Sequence, residues 1–423
     1  MKPLQRNKNL FLWATKHMTP HMTPATNHLN LPFFDIVHRD MGARLVDWAS
    51  QQKVDESDDR KACREWVKLL GDGGWLRYCV PAGADGSLGG ALAKLDSRAL
   101  VVLRETLAFY SPLADFAFAM QGLGSGAITL GGTAGQQAAY LPQVATGQKI
   151  AAFALSEADA GSDVGAMQTS ATRTADGWLL NGSKTWISNG GIADFYVTFV
   201  KTEPDAGTRG ITPFIVDANT PGLDSSEHIA VMAPHPLATL KFDNCLVPEM
   251  SQLGVLNGGF KLAMQTLDIF RASVAGAALG MARRALAEAV AYSQKRKMFG
   301  QKLADFQLTQ AKIGEMAALV DAAALLTYRA AWLRDEGERT GNTGITAEAG
   351  EQRNRSVAAA MAKMSATENA QRVIDMALQM HGGLGVKVGT KVESLYRDIR
   401  SLRIYEGATE VQQLIIGKAV LKS

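Results

Sequence analysis

The sequence has no run of apolar residues approaching the roughly 18 to 20 that a membrane helix needs, so no membrane span is expected. Aromatic residues are scarce, at 7% of 423; this suits closely packed, Ala- and Gly-rich helices better than an aromatic-rich binding module. A dominant charge is missing too: 44 Lys and Arg stand against 41 Asp and Glu. A nucleic-acid binder carries a larger or more clustered basic bias. The best cluster, Lys295-Arg296-Lys297, is too short for a strand-binding stripe and suits a local phosphate. Cysteine is limited to Cys63, Cys79 and Cys245, without C-x-x-C or zinc spacing. Buried, reduced thiols in a cytoplasmic setting are expected, and no metal site. There is no P-loop, no G-x-S-x-G and no H-E-x-x-H, and the seven His are scattered.

No acidic residue precedes Asp35, and His17 to Pro24 repeats as HMTP-HMTP. Without an apolar h-region this is no secretory signal. Residues 1–34 are expected to form a flexible tail, with Met1, Met18 or Met22 as the start.

What is present, 47% hydrophobic and 20% charged residues, is globular material for two or three packed domains. Residues 35–150 read as helical, with Gly-rich breaks at Gly71 to Gly74 and Gly83 to Gly90. Residues 151–257 change character. Trp178-Leu179-Leu180 precedes Asn181-Gly182, a strong hairpin signal, and Thr185 to Ser188 reads as the returning strand. Phe195 to Val200, Ile211 to Val216 and Leu240 to Phe242 look like further strands of a small antiparallel domain. Residues 258–423 are helical again: Ile313, Met316, Val320 and Ala323 keep one helix face, as do Val357, Met361 and Met364. A polar stretch from Asp335 to Arg355 is expected as an exposed loop. The fold class is thus α+β: an N-terminal helical domain, a middle antiparallel β domain and a C-terminal four-helix bundle.

Gly122-x-Gly124-x-x-Ala127 fits a loose dinucleotide fingerprint, but no clear strand precedes it and no acid follows until Glu157. Helix packing around small residues accounts for it better. Three other segments stand out: Phe153 to Asp163 (FALSEADAGSD), Asn181 to Gly190 (NGSKTWISNG) and Tyr405-Glu406-Gly407-Ala408-Thr409-Glu410. Together with Arg296 to Gly300 (RKMFG) and Gln379 to Gly383 (QMHGG), in this order, they resemble the acyl-CoA dehydrogenase family from about Asp35 to Lys418.

The resemblance implies FAD as cofactor and α,β-dehydrogenation of an acyl-CoA thioester to a trans-2-enoyl-CoA. Glu406 is then the base that removes the α-proton while hydride passes to flavin N5; Phe270 stands where a minority of the family places its base. Phe153, Leu155, Ser156, Ser162, Trp186 and Ser188 would line the flavin. Arg296 would pair, through its planar fork, with the pyrophosphate of a neighbouring subunit's FAD, with Phe299 beside it and Gln307, Gln379 and Gly383 at the adenosine end, all across a subunit interface. Ala408 and Glu410 would also meet the cofactor. Ser162, Asp268, Arg271, Tyr405 and Gly407 would meet the substrate. The resemblance further implies a homotetramer built as a dimer of dimers, and an electron-transfer flavoprotein as acceptor. An acyl-CoA oxidase, another flavoenzyme of this fold and a non-catalytic flavin-binding relative are the competing readings. Met232 to Ala238 (MAPHPLA), stiffened by two prolines, departs from the family's Gly/Arg/Ser-containing segment.

Overall fold

The computed structural model describes residues 22–339 and 349–422. In chain order the helices α1 (Ile36–Gln51), α2 (Asp59–Asp72), α3 (Ser97–Tyr110), α4 (Pro112–Gly131) and α5 (Ala134–Ala145) come first. Seven strands follow: β1 (Ala151–Ala154), β2 (Ser170–Thr174), β3 (Gly177–Ser188), β4 (Phe195–Lys201), β5 (Ile211–Asp217), β6 (Leu223–Ile229) and β7 (Leu237–Val247). Then come α6 (Gly259–Lys295), a small hairpin of β8 (Lys297–Met298) and β9 (Gln301–Lys302), α7 (Gln307–Arg339), α8 (Ala349–Met380), α9 (Lys391–Leu402) and α10 (Thr409–Val420). The chain divides into two compact units, one of residues 53–96 and 113–270, the other of residues 1–52, 97–112 and 271–423.

The first of these holds the sheet. Helix α2 starts where Asp58 accepts from the N–H groups of Arg60 (3.1 Å) and Lys61 (3.0 Å), satisfying donors that the first turn leaves open. It buries Ala62, Cys63, Trp66, Val67 and Leu70, one helical face. The sheet order is β1-β4-β2-β3-β7-β6, with β5 also on β4. Every residue of β4 is buried, as a central strand covered on both faces requires. Most pairings are antiparallel as expected, but β1 and β2 both run parallel to β4. The expected hairpin at Asn181-Gly182 is not there. β3 runs straight through it, and the turn is at Ala175-Asp176, where Thr174 pairs with Gly177. Asn181 instead accepts from the Asn244 N–H (2.9 Å), and Gly182 marks a register shift against β7. A Cβ there would meet Thr169 at 2.7 Å, so the glycine serves close approach and not reversal. In α4, Gly122 lies against Phe270 and Gly124 against Ala151-Ala152; a Cβ on Gly124 would sit 2.7 Å from the Ala152 nitrogen. This is the small-residue packing anticipated for that motif.

The second unit is helical. Residues 25–34 correct the expected tail: Ala25, His28, Leu29 and Phe34 are buried, and Leu29 fills space that only Gly42 leaves open. Closely spaced Leu29, Leu31, Phe33 and Phe34 carry enough apolar surface to dock. Residues 1–21, with the first HMTP copy and the candidate starts Met1 and Met18, lie outside the described residues. His28 stacks on Tyr328 with ring centroids 5.4 Å apart. The Tyr328 hydroxyl donates to Glu105 (2.9 Å) and accepts from Arg283 (3.1 Å), which itself pairs with Glu105. Burial pushes the His28 imidazole down to about 4, and the Arg283 cation adds to this against the opposing pull of Glu105.

The expected loop from Asp335 is also corrected. Helix α7 continues to Arg339, and Asp335 is buried, accepting from the N–H groups of Ser97 (2.8 Å) and Arg98 (3.0 Å). It caps α3 from a neighbouring helix, so its charge meets the positive end of that helix dipole. The middle of the expected loop, residues 340–348, lies outside the described residues. Among the described residues, α7 is the one helix whose length and composition would suffice to cross a membrane. It carries Glu315, Asp321 and Arg329 and buries Met316, Val320, Ala323 and Tyr328 within this unit, as a bundle helix does. Cys63, Cys79 and Cys245 are all buried and unbridged.

Candidate active site

In the sheet unit, the residues after β1 are tied to β3. Lys184, on β3, is fully buried. Its Nζ donates to the Leu155 carbonyl (3.1 Å) and to the Glu157 carboxylate (2.8 Å). Glu157 also accepts from the N–H groups of Gln168 (2.6 Å) and Thr169 (3.0 Å). Burial pushes the Lys184 ammonium down to about 8 against the pull of Glu157. Burial also opposes charge on Glu157, yet Lys184 and the donors around it leave its carboxyl below the usual range. Thr185 N–H donates to the Ser156 carbonyl (3.0 Å), closing the strap.

Two residues on from Lys184, the strand bulges: register against β7 shifts between Lys184 and Ile187. Trp186 sits in the bulge at φ 60° with 56% of its surface exposed. A bulky residue in the left-handed region is strained, by roughly 1–3 kcal/mol, and persists only where its surroundings enforce it. Ser188 is half-buried, and Asn189 (φ 61°) donates from Nδ2 to the Ala151 carbonyl (2.9 Å), fastening the end of β3 to the start of β1. Phe153 packs on Phe199 (centroids 4.9 Å) and Leu155 is buried, while Ser156 is half-buried. Gly161, Ser162 and Asp163 are exposed, and a Cβ on Gly161 would meet nothing within 4 Å. The sheet unit therefore presents an exposed indole and an open small-residue loop, with hydroxyls at Ser156, Ser162 and Ser188. A flat, heteroatom-bearing ring system fits this donor set. Asp268 is half-buried on α6, and Phe270 is buried against Gly122 and Gly126.

In the helical unit, Glu406 lies in the turn between α9 and α10 at φ 53°, followed by Gly407 at φ 90°. Two buried side chains hold that turn through one atom. The Gly407 carbonyl accepts from Lys363 Nζ on α8 (2.8 Å) and from Gln412 Nε2 on α10 (2.9 Å). A Cβ on Gly407 would collide with the Gln412 amide. Farther along, Glu368 of α8 accepts from Arg403 Nε (2.8 Å) and from the Thr409 hydroxyl (2.6 Å). Tyr405, Gly407 and Ala408 are partly exposed, Ala408 standing at the N-cap of α10; Glu410 is exposed in its first turn. Arg271 is buried on α6.

The remaining expected residues of this unit lie on exposed backbone. Arg296 directly follows α6, and its carbonyl accepts from Leu303 N–H (2.7 Å). Phe299 (φ 47°) and Gly300 (φ 81°) form the two-residue turn of the β8–β9 hairpin, the left-handed pair that such turns demand. Phe299 is 87% exposed. Gln307 opens α7, Gln379 lies in the last turn of α8, and Gly383 lies just beyond that helix, all exposed. His381 stacks on Tyr292 with centroids 4.3 Å apart. Within this unit Glu406, Gly407 and Arg271 gather around Lys363, whereas Arg296, Phe299, Gln307, Gln379 and Gly383 belong to exposed termini and turns.

Four residues that organise these sites were not singled out from the sequence: Lys184, Glu157, Lys363 and Gln412. A signal existed for the lysines. Lys363 is the single cation in an Ala-rich helical face (AAAMAKMSA), and Lys184 falls on the inward alternation of its strand. A lysine on an inward position is buried only when paired or bonded.

Models of the acyl-CoA dehydrogenase N-terminal, middle and C-terminal domains match residues 37–148, 152–245 and 257–421. The chain belongs to the acyl-CoA dehydrogenase family, oxidoreductases that act on the CH–CH bond of acyl-CoA and whose members bind FAD. It is 37% identical over 397 residues to the 3-(aryl)acrylate reductase of Clostridium sporogenes, covering 92% of this chain and 100% of that one. It is 35% identical over 391 residues to a subunit of the caffeyl-CoA reductase–Etf complex of Acetobacterium woodii, covering 92% and 96%. Among solved structures, butyryl-CoA dehydrogenase from Megasphaera elsdenii matches with a TM-score of 0.81 at 32% identity, covering 92% of this chain and 99% of that one.

Proposed function

We propose that this chain catalyses the FAD-dependent α,β-dehydrogenation of an acyl-CoA thioester to a trans-2-enoyl-CoA, with Glu406 as the base. The observation that carries this reading is the placement of the Glu406 carboxylate on a left-handed turn fastened through the Gly407 carbonyl by Lys363 and Gln412. A base for a weakly acidic α-proton must be held in one geometry, and its basicity rises as substrate excludes water. The Glu406 backbone N–H, fixed by the same turn, would donate to the thioester oxygen as charge develops there. FAD, when bound, supplies the acceptor for the hydride that leaves the β-carbon. Trp186 and the Ser156, Ser162 and Ser188 hydroxyls would hold its ring system. Arg296, with Phe299, Gln307, Gln379 and Gly383, would hold the diphosphate and adenosine portions of a neighbouring subunit's cofactor in a homotetramer. Tyr405, Arg271, Asp268 and Gly407 would face the acyl-CoA, with Ala408 and Glu410 beside the cofactor. An electron-transfer flavoprotein is the proposed redox partner.

The test is the anaerobic visible spectrum of the purified yellow protein against a panel of aliphatic and aryl-substituted acyl-CoA thioesters. Bleaching by one of them is the expected result, and Glu406→Gln keeps the colour and abolishes the bleaching. A flavin that no thioester bleaches overturns the assignment.

The identity to an aryl-acrylate reductase favours a second reading, in which the same residues run the reaction toward saturation. Glu406, protonated, would then deliver the α-proton, as reversibility requires. Mixing dithionite-reduced protein with enoyl thioesters separates the two: rapid reoxidation by an aryl-enoyl thioester, with sluggish bleaching by its saturated partner, supports reduction.

A further inference from the structure

Lys363 is the least expected side chain in the helical unit. It lies on α8 with no exposed surface, and its Nζ donates to a backbone carbonyl, that of Gly407, at 2.8 Å. An ammonium withdrawn from water on a single carbonyl is costly unless carboxylates face it. Three do. Glu406 approaches from the turn, Glu368 from the same helix and Glu410 from α10, while Arg271 faces it from α6 as a second cation. Glu368 is already engaged by Arg403 and Thr409, and Glu410 is exposed to solvent. Glu406 acts on the ammonium more strongly than either. The lysine is therefore matched chiefly to the carboxylate proposed as the base, and the atom it grips belongs to the next residue.

We infer that Lys363 is the positioning residue of Glu406: through the Gly407 carbonyl it holds the left-handed turn, and through its charge it keeps the Glu406 carboxyl ionised before substrate arrives. This rests on the proposed role of Glu406. Gln412 shares the mechanical part of the task, because it grips the same oxygen, but it brings no charge. The two contributions are thereby separable.

The experiment is an infrared pH titration of the Glu406 carboxyl in the FAD-loaded protein, its band assigned by difference against Glu406→Gln. It is run on the wild type, Lys363→Met and Gln412→Leu, alongside the pH profile of flavin bleaching. Lys363→Met should raise the Glu406 midpoint by about one unit or more and displace the acid limb of the bleaching profile equally, with flavin content unchanged. Gln412→Leu should slow bleaching and leave the midpoint in place. An unmoved midpoint in Lys363→Met overturns the inference.

A purely structural lysine would lower flavin content or solubility without moving the titration. Wild-type protein supplies a check that needs no folded variant at this position. Burial brings the Lys363 ammonium down to about 8, so the ionised Glu406 carboxylate band should shift across that titration, and a band flat from about pH 6 to 10 refutes the coupling. If no thioester bleaches the wild-type flavin, the dehydrogenase reading falls, while the carboxyl titration still decides the role of Lys363.

Discussion

Replacing Lys184 with Met tests whether the side of the sheet unit proposed to face the flavin is held by one buried ion pair. The substitution keeps the length and apolar stem of the side chain. It removes the ammonium that donates to Leu155 and Glu157 at 3.1 and 2.8 Å. Removing one partner of a buried pair destabilises by about 3–5 kcal/mol, because the other charge is left without its counterion. Glu157 retains the N–H groups of Gln168 and Thr169, so the lower end, about 3 kcal/mol, is the expected magnitude. If that loss falls on the 155–163 loop, flavin affinity should drop roughly 150-fold. The assays are a flavin-binding titration and a urea unfolding curve. The double variant Lys184→Met with Glu157→Gln should recover most of the stability, since a neutral side chain no longer needs the counterion. Wild-type flavin affinity and urea midpoint in the single variant would refute the reasoning.

Two further outcomes follow from the same geometry. Burial holds His28 near 4 in the fold, whereas an unfolded histidine titrates near 6.5. The unfolded chain therefore binds a proton that the fold refuses, and stability present above pH 6.5 is lost as the pH falls toward 4, by about 3 kcal/mol at most. Melting temperatures of wild type and His28→Phe across that window check this: the variant should show the shallower slope, with His235 contributing to both proteins, and equal slopes contradict it. Trp186→Gly relieves a left-handed φ of 60° while deleting an exposed indole. The flavin-free variant should unfold within about 1 kcal/mol of wild type or later, yet bind FAD at least tenfold more weakly; equal flavin affinity removes Trp186 from the site.

The sequence was most legible where pattern and packing agree. The single face of α2 and the Met316, Val320, Ala323 face of α7 read directly as helices, and the glycines of α4 read correctly as packing. It was least legible where a local signal competed with a distant partner. Asn181-Gly182 looks like a turn, but Gly182 is needed where Thr169 crosses, and the reversal falls to Ala175-Asp176. β6 has no apolar alternation to betray it, because its residues are mostly exposed and it lies at the sheet edge, paired among the described residues with β7 alone. Asp335 reads as loop from its polar neighbours, yet it is buried because the start of α3 supplies two N–H donors.

The two units, each taken by itself, meet one problem in the same way. Each needs a non-glycine residue, Trp186 or Glu406, in a backbone region that disfavours it. Each places a fully buried lysine next to it, Lys184 on Leu155 and Glu157, Lys363 on Gly407. The strain at such a residue, roughly 1–3 kcal/mol, matches what one or two charge-assisted hydrogen bonds contribute when shielded from water, at about 1.5–3 kcal/mol each. Composition reveals neither lysine, since each is one cation among 44 basic residues. What singles them out is position, a cation on the inward register of a strand and another on the inward face of an Ala-rich helix. An inward lysine that lies within reach of a left-handed, non-glycine residue therefore marks a conformation the fold is enforcing, and in this chain both such conformations fall on residues proposed to meet the flavin or the substrate.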